Sequence, residues 1–161
     1  MSTTGNSPLT PFPKVRDMRV AIVRTFWNSH ITESLLSGAV DTLLTAGIER
    51  DMIDTFEVPG AVELTYAASR LSQTEYYDAI ILLGCVIRGG TPHFDYVCQS
   101  VTQGMTLLNS DGNEPVIFGV LTVDTEQDAL DRAGGRLGNK GAEAAEAALL
   151  MYDFCENVEK I

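Results

Sequence analysis

Residues 79–95 carry the stretch AIILLGCVIRGGTPHFD, in which an apolar run leads into a glycine-rich turn and then into a helical pattern. The run 79–83 has the length and branching of a buried strand. After the turn, Val97 and Val101 recur at helical spacing within a helix predicted over 94–109. This order of strand, turn and helix start favours anion binding, because the free N–H groups and the dipole of a first helical turn attract negative charge.

His93 ends this turn, and its imidazole can transfer protons near neutral pH. Gly89 and Gly90 let the backbone approach a ligand closely, because they carry no Cβ. The two features together indicate an enzyme that acts on a small phosphorylated molecule. The alternative is a turn that binds nothing and a histidine that lies on the surface, because such turns occur in many α/β proteins.

Composition and charge narrow the class of protein. The 161 residues are 45% hydrophobic, which is typical of one soluble globular domain. A net charge of -11 argues against nucleic acid and against an anionic membrane as partners. Cys85, Cys98 and Cys155 have no metal-binding or disulfide spacing, and neither a signal pattern nor an apolar run of bilayer length is present. A cytoplasmic protein with reduced thiols is therefore expected.

The chain divides into an arm and a domain. Residues 1–16 are rich in proline, serine and threonine and predict an extended N-terminal arm, which could also lie on a neighbouring subunit. Residues 17–161 alternate apolar strands with helices, which predicts one α/β domain with a parallel sheet covered on both faces. Strands are predicted at 18–24, 53–58, 79–83 and 116–121, and helices at about 31–46, 62–71, 94–109, 125–132 and 142–156.

Unusual residues follow each predicted strand. In parallel sheets ligands bind outside the carboxyl ends of the strands, so these residues should meet at one edge. They are Trp27 and Asn28 after the first strand, 59–63 after the second, 84–93 after the third and 118–124 in and after the fourth. Scattered core residues would not gather there, and this convergence favours a site over a turn that binds nothing.

Several side chains allow both a site role and a structural role. The indole of Trp27 could stack on a planar substrate ring or cover the core. Glu63 could bind a polyol or only favour a helix N-terminus. Arg132 and Lys140 could clamp phosphate or only flank a glycine-rich loop. Cys85 is expected to be a packed thiol rather than a nucleophile.

Taken together, these segments resemble the lumazine synthases of riboflavin biosynthesis over nearly everything past the arm. The matching segments are 27–28, 31–32, 35–39, 58–63, 84–97, 115–122, 132–134 and 138–141. The resemblance implies a doubly wound, flavodoxin-like three-layer α/β/α sandwich with a four-stranded parallel sheet, assembled as pentamers. It also implies condensation of 5-amino-6-(D-ribitylamino)uracil with 3,4-dihydroxy-2-butanone 4-phosphate, releasing phosphate and water, with no cofactor and no metal.

Site residues are carried over by position. His93 matches the proton-transferring histidine, and residues for phosphate and for the ribitylaminouracil match around it. The phosphate-binding residues implied are Gly90, Thr91, Arg132 and Lys140. The ribitylaminouracil-binding residues implied are Trp27, Asn28, Ala61, Val62, Glu63, Cys85, Val86, Ile87 and Phe118. In the family the site lies between neighbours of a five-membered ring, so Phe118, Arg132 and Lys140 would come from the adjacent subunit.

Three positions depart from the family pattern. Trp27 stands where phenylalanine is common, Val62 where an aromatic is common, and Pro92 where threonine or serine is common. Pro92 lacks a backbone donor, so Gly90 and Thr91 would carry more of the phosphate binding. The larger indole of Trp27 predicts that riboflavin also binds there. The short 134–141 connection favours an icosahedral shell of 60 chains over a pentamer.

Two other functions stay open at this level. An archaeal-type riboflavin synthase would dismutate two lumazines without a phosphorylated substrate. A non-catalytic flavin-binding or shell-forming protein would have no use for His93, Arg132 and Lys140.

Overall fold

The central sheet is built from the apolar runs of the sequence. The computed structural model describes residues 11–13, 15, 17–112 and 114–160. Its main strands are β1 (Val20–Thr25), β2 (Ile53–Val58), β3 (Ala79–Ile87) and β4 (Val116–Val123), all parallel, in the order β2-β1-β3-β4. The predicted four-stranded parallel sheet is confirmed.

Helices cover both faces of this sheet. They are α1 (Ser29–Thr45), α2 (Ala61–Ser72), α3 (His93–Asp111), α4 (Glu126–Leu130) and α5 (Lys140–Val158). Side chains alternate along the strands, so that Val20 and Ile22 of β1 pack with α1 and α5, whereas Ala21 and Val23 pack with α2 and α3. This alternation gives the predicted α/β/α sandwich, with one apolar core on each side.

β2 departs from the expectation that every strand is continuously apolar. Only Ile53 of this strand is buried, and Thr55, Phe56 and Glu57 are exposed. The reason is that this edge strand pairs with β1 alone and is covered chiefly by α2, whereas α3, α4 and α5 pack on the other edge strand, β4. Charged residues on an edge strand also disfavour pairing with other chains.

β3 and β4 run further than predicted. β3 continues past Leu83 through the predicted turn residues 84–87, because their pairing with β4 continues to Ile87 and Val123. A Cβ added at Gly84 would lie 3.1 Å from the Leu64 side chain and 3.4 Å from those of Thr25 and Val120, so glycine suits this crowded strand position. The turn therefore begins at Arg88, four residues later than the apolar run indicated.

The glycine-rich connection forms a short hairpin rather than a simple break. β5 (Ala133–Gly135) pairs antiparallel with β6 (Gly138–Asn139) before α5 begins. Gly134 and Gly138 have φ angles of 105° and 79°, which L side chains rarely adopt. The two glycines therefore let the hairpin form where the sequence predicted only a loop.

The packed part of the chain begins before residue 17. Val15 is 4% exposed and belongs to the core on the α1 side, and Phe12 packs against it. The predicted arm also includes residues 1–10, 14 and 16, which lie outside the described residues. None of the helices among the described residues combines the length and the hydrophobicity that a membrane span requires.

Candidate functional site

A cavity of about 470 Å³ lies at the carboxyl ends of β1 and β3. β1 has β2 as its neighbour on one side and β3 on the other, so the chain first adds a strand on one side of β1 and then continues the sheet on the opposite side. Such a reversal of strand order leaves a crevice outside the strand ends, where open α/β sheets bind ligands. We call this the His93 cavity.

Most of the residues implied by sequence line the His93 cavity together. They are Trp27, Asn28, Ala61, Val62, Glu63, Cys85, Val86, Ile87, Thr91 and His93. Gly90 lies in the same turn but is not part of the lining. Gly60 and Gly89 also line it, within the segments 59–63 and 84–93 expected at this edge, and the lining residues that the sequence did not indicate are Thr25, Phe94 and Val97. The available signals were position along the chain: Thr25 ends β1 two residues before Trp27, Phe94 follows His93, and Val97 lies one helical turn after His93.

Trp27 lies against Gly60 rather than over the core. Its side chain is 63% exposed, and a Cβ added at Gly60 would lie 2.5 Å from the indole ring. The Trp27 N–H donates to Pro59 O at 3.0 Å, which ties the turn after β1 to the turn after β2. The indole is thus held from one side, and the alternative of an aromatic lid over the core does not apply.

Asn28 joins the turn after β1 to the end of β3. Its backbone has φ 59° and ψ 40°, a left-handed conformation that asparagine tolerates better than most residues. Its Nδ2 donates to Cys85 O at 2.9 Å. Asn28 therefore uses its amide to fix the strand end that lines the cavity.

The end of β3 offers backbone groups to the cavity. β1 stops pairing with β3 at Leu83, so the following residues have β4 on one side and the cavity on the other. Arg88 N–H faces β4, where it donates to Val123 O at 2.9 Å, whereas Cys85 O faces Asn28. Since backbone groups alternate sides along a strand, the N–H and C=O of Ile87 face the same way as Cys85.

Glu63 caps the helix that bears it. Its Oε2 accepts from Gly60 N–H at 3.0 Å, which stabilises the first turn of α2. The carboxylate still lines the His93 cavity and keeps further acceptor capacity. Both interpretations that the sequence left open for Glu63 are compatible with this geometry.

His93 is the first residue of α3 and is exposed at the mouth of the cavity. The turn before it is open, since a Cβ added at Gly89 or Gly90 would meet no atom within 4 Å. Pro92 precedes the helix with φ −62°, a value that suits a helix start, and contributes no N–H. Three residues of the first turns of this 19-residue helix, His93, Phe94 and Val97, line the cavity, and Pro92 O accepts the N–H groups of Asp95 and Tyr96.

Arg88 bridges the elements around this turn. Its Nε donates to Asp124 Oδ1 at 2.8 Å, its Nη1 donates to Asp95 Oδ1 at 3.1 Å, and its guanidinium carbon lies 4.0 Å from the centre of the Phe94 ring. The hydrogen bond to Asp124 is the main reason that the pKa of Arg88 lies above its ordinary value. The guanidinium therefore stays charged between two carboxylates.

Phe118, Arg132 and Lys140 do not line the His93 cavity of their own chain. They line a separate cavity of about 160 Å³ between the exposed side of β4 and the hairpin, which we call the Arg132 cavity. Arg132 Nη1 donates to Asp128 O at 2.8 Å and its side chain is 30% exposed. Lys140 is buried and its Nζ pairs with Glu143.

The Cys85 side chain is packed, as the sequence indicated. It is 6% exposed, and burial is the main cause that raises the pKa of its thiol to about 12. A thiol in this state is a poor nucleophile. Among the described residues, no three His, Cys, Asp or Glu side chains form a group that could hold a metal ion.

Comparison with known proteins gives one consistent result. The family model for 6,7-dimethyl-8-ribityllumazine synthase matches residues 17–156. The protein of that name from Porphyromonas gingivalis is 55% identical over 139 residues, which cover 86% of this chain and 86% of the relative. The one from Parabacteroides distasonis is 54% identical over 142 residues, covering 88% and 89%, and the one from Bacteroides fragilis is 50% identical over 143 residues, covering 89% and 100%.

Proposed function

This chain belongs to the 6,7-dimethyl-8-ribityllumazine synthase family, and from this premise we propose that its His93 cavity is where ribitylaminouracil condenses with butanone phosphate. The observation that carries the proposal is that His93, the exposed Trp27 and the free end of β3 line one cavity. Joining an aminopyrimidine to a phosphorylated ketone requires an acid–base group, a surface on which the ring can stack, and backbone donors and acceptors for its polar edge. The chain is an enzyme of riboflavin biosynthesis, and the relatives do not favour an archaeal-type riboflavin synthase or a non-catalytic shell protein.

The pyrimidine ring is assigned to the space between Trp27 and the end of β3. The indole supplies an aromatic face, and the N–H and C=O of Ile87 can pair with the polar edge of the ring. Cys85 and Val86 contribute backbone to the same wall. Asn28 holds the wall in place through its bond to Cys85 O.

The ribityl chain is assigned to the start of α2. Ala61 and Val62 line the cavity there, and the carboxylate of Glu63 can accept hydrogen bonds from hydroxyl groups. Phe118 of a neighbouring chain is assigned to the other face of the ring. Its 38% exposure on the edge strand β4 leaves it accessible to such a neighbour.

The phosphate of the second substrate is assigned to the turn before α3. The space beside Gly90 is open, the N–H groups of Asp95 and Tyr96 already donate to Pro92 O, and those of Gly90, Thr91, His93 and Phe94 are assigned to the phosphate, with the helix dipole adding a favourable field. Arg132 and Lys140 are assigned to the same phosphate but from the adjacent subunit of a ring. Their location in a separate cavity of their own chain supports this division.

His93 is assigned to the proton transfers. The primary amine of the uracil attacks the ketone, and the carbinolamine loses water to give an imine. Elimination of phosphate, ring closure and a second loss of water complete the lumazine. Each of these steps moves a proton, and one imidazole between ring and phosphate can act as acid and as base in turn. Holding the two substrates together contributes through proximity and orientation.

The direct test is to mix the purified protein with both substrates and to follow lumazine absorbance together with phosphate release. One phosphate per lumazine is expected. A parallel reaction supplied with lumazine alone tests the riboflavin synthase alternative, which would convert lumazine to riboflavin and release no phosphate. No product from either reaction would contradict the proposed function.

Riboflavin is a second candidate ligand of the same cavity. Trp27 is the single tryptophan of the chain and is exposed on its free face, where a large flat ring can stack. Titration with riboflavin should therefore quench the tryptophan fluorescence, and Trp27→Ala should lose flavin binding measured by flavin fluorescence. Unquenched fluorescence at high flavin concentration would argue against this ligand.

The setting of the reaction is also part of the proposal. A homo-oligomer built on five-membered rings, in the form of a pentamer or a shell of 60 chains, is supported by the family. A cytoplasmic location is supported by the three free cysteines, because unpaired thiols are usual in reducing compartments. Sedimentation velocity would decide between the two assemblies.

A further inference from the structure

The guanidinium of Arg88 connects the two ends of the proposed phosphate turn. Arg88 is the residue directly before Gly89, and its partners Phe94 and Asp95 directly follow His93. Its third side-chain partner, Asp124, follows β4. One side chain thus links the end of β3, the start of α3 and the end of β4.

The turn itself has little packing that could hold its shape. A Cβ at Gly89 or Gly90 would meet nothing within 4 Å, and Thr91 and Pro92 are exposed. Glycine restricts the backbone less than any other residue. The conformation of the turn therefore depends on how firmly its two ends are held, and Arg88 holds both.

Arg88 contributes little to the stability of the fold by comparison. Its side chain is 44% exposed, and those of Asp95 and Asp124 are 61% and 76% exposed. Exposed ion pairs of this kind contribute little to the free energy of unfolding, because water and salt screen them. A network without much value for stability, placed around a proposed site, points to a role in that site.

Arg88 is also poorly placed to bind the phosphate itself. It is not part of the lining of the His93 cavity and lies instead in a concavity of about 440 Å³ with Phe94, Asp124 and Arg132. Two carboxylates face its guanidinium, so its surroundings repel a second anion. Its contacts instead join the end of β3 to the start of α3 and the end of β4, and we call this set of contacts the clamp.

We propose that Arg88 is a positioning residue that holds residues 89–92 and the start of α3, and thereby keeps the phosphate-binding N–H groups and the His93 imidazole at a fixed separation. This inference rests on the proposed function. Loss of the clamp should weaken phosphate binding and slow the proton transfers, because both depend on the same turn. Ribitylaminouracil binding should persist, because Trp27 and the end of β3 have other supports.

The experiment compares Arg88→Met with wild type in steady-state kinetics, thermal unfolding and binding of ribitylaminouracil. We expect the KM for butanone phosphate to rise about tenfold and kcat to fall about tenfold, with the uracil affinity and the unfolding temperature unchanged. Arg88→Lys should restore only part of the loss, because an ammonium cannot reproduce the fork that joins two carboxylates. Arg70→Met is the matched control, since Arg70 is exposed on α2 and bonds only Gln73 among the contacts described.

Asp124→Asn separates a clamp from a direct phosphate ligand. If Arg88 is a clamp, Asp124→Asn loosens it and weakens binding of inorganic phosphate, measured by calorimetry. If Arg88 binds phosphate directly, removal of a nearby negative charge strengthens that binding, and the inference is overturned. Equal weakening of both substrates together with a lower unfolding temperature would overturn it too.

Measuring the affinity for inorganic phosphate also separates failure of this inference from failure of the proposed function. An inactive wild type would contradict the proposed function, and the comparison of phosphate affinity between wild type and Arg88→Met would still decide the role of Arg88. An active wild type with unchanged phosphate binding and kinetics in Arg88→Met would overturn the inference alone.

Discussion

The side chains around the proposed site differ mainly in how much of each is exposed and which partners already bind it. His93 is exposed at a helix start. The other histidine, His30, is not part of the cavity lining, and its Nε2 lies 2.7 Å from Glu126 Oε1. Trp27 is held on one side by Gly60 and open on the other. The side chain of Cys85 is enclosed, although its backbone belongs to the cavity wall.

His93→Ala should lower kcat by about 100-fold to 10,000-fold, which is the usual contribution of one general acid–base group. Ribitylaminouracil should still bind, because its assigned contacts are Trp27 and the β3 backbone. Steady-state rates and tryptophan quenching measure the two effects. His30→Ala is the control and should keep the wild-type rate. A His93→Ala variant with an undiminished rate would remove His93 from the mechanism.

Cys85 should resist alkylation in the native protein. Its thiol is buried and has a pKa raised to about 12, and the thiolate is the form that reacts. Brief exposure to iodoacetamide at pH 8, followed by peptide mass spectrometry, should leave Cys85 unlabelled until urea unfolds the chain. Native labelling of Cys85 as fast as in urea would contradict the described packing.

Among the secondary-structure elements, the two helices around the hairpin begin with different caps. At α4, Thr125 Oγ1 accepts from Asp128 N–H at 3.1 Å, as the sequence predicted. At α5, Asn139 Oδ1 accepts from the N–H groups of Gly141 and Ala142, and its Nδ2 donates to Ser34 O at 2.8 Å. Asn139 therefore caps one long helix and fastens it to α1.

Asn139→Ala should lower the free energy of unfolding by about 1–2 kcal/mol, because it removes a helix cap and leaves a part-buried carbonyl without its donor. Thr125→Ala should cost about 0.5–1 kcal/mol, since it caps a single surface turn. Urea unfolding of both variants provides the measurement. A larger loss for Thr125→Ala than for Asn139→Ala would contradict this account.

At the scale of the whole molecule, the proposed site is divided between two parts of the surface. The His93 cavity contains the histidine proposed as the acid–base group and the strand end proposed to bind the ring, and the Arg132 cavity contains the cations assigned to phosphate. A ring with head-to-tail interfaces can bring the first cavity of one chain to the second cavity of the next. The net charge of -11 makes such placed cations important for anionic substrates.

Co-expression of His93→Ala and Arg132→Ala chains tests this division. Each variant alone should be nearly inactive. In mixed rings, about a quarter of the interfaces pair an intact His93 with an intact Arg132, if chains assemble at random around a head-to-tail ring. Activity should recover to about that fraction of wild type, measured on assemblies purified by a tag on each variant. Mixed assemblies as inactive as the single variants would place Arg132 and His93 in the same chain's site.

The sequence by itself determined the sheet, the order of its elements and the edge at which unusual residues gather. Those features follow from local periodicity and from the rule that parallel strands end at one edge, so the strand at 53–58 and the cap at Thr125 were predicted correctly. The resemblance of segments such as 84–97 to the lumazine synthases could also be recognised from sequence, because it depends only on the order of residues along the chain.

Only the tertiary structure decided which partners meet. It extended β3 to Ile87, because β4 offered further pairing, and exposed β2, because only α2 packs substantially on that edge strand. It also placed Asn28 on Cys85 O and joined Arg88 to Asp124. These contacts link residues from 36 to 57 positions apart. Local sequence patterns do not predict such contacts, because the contacts depend on how whole helices and strands pack together.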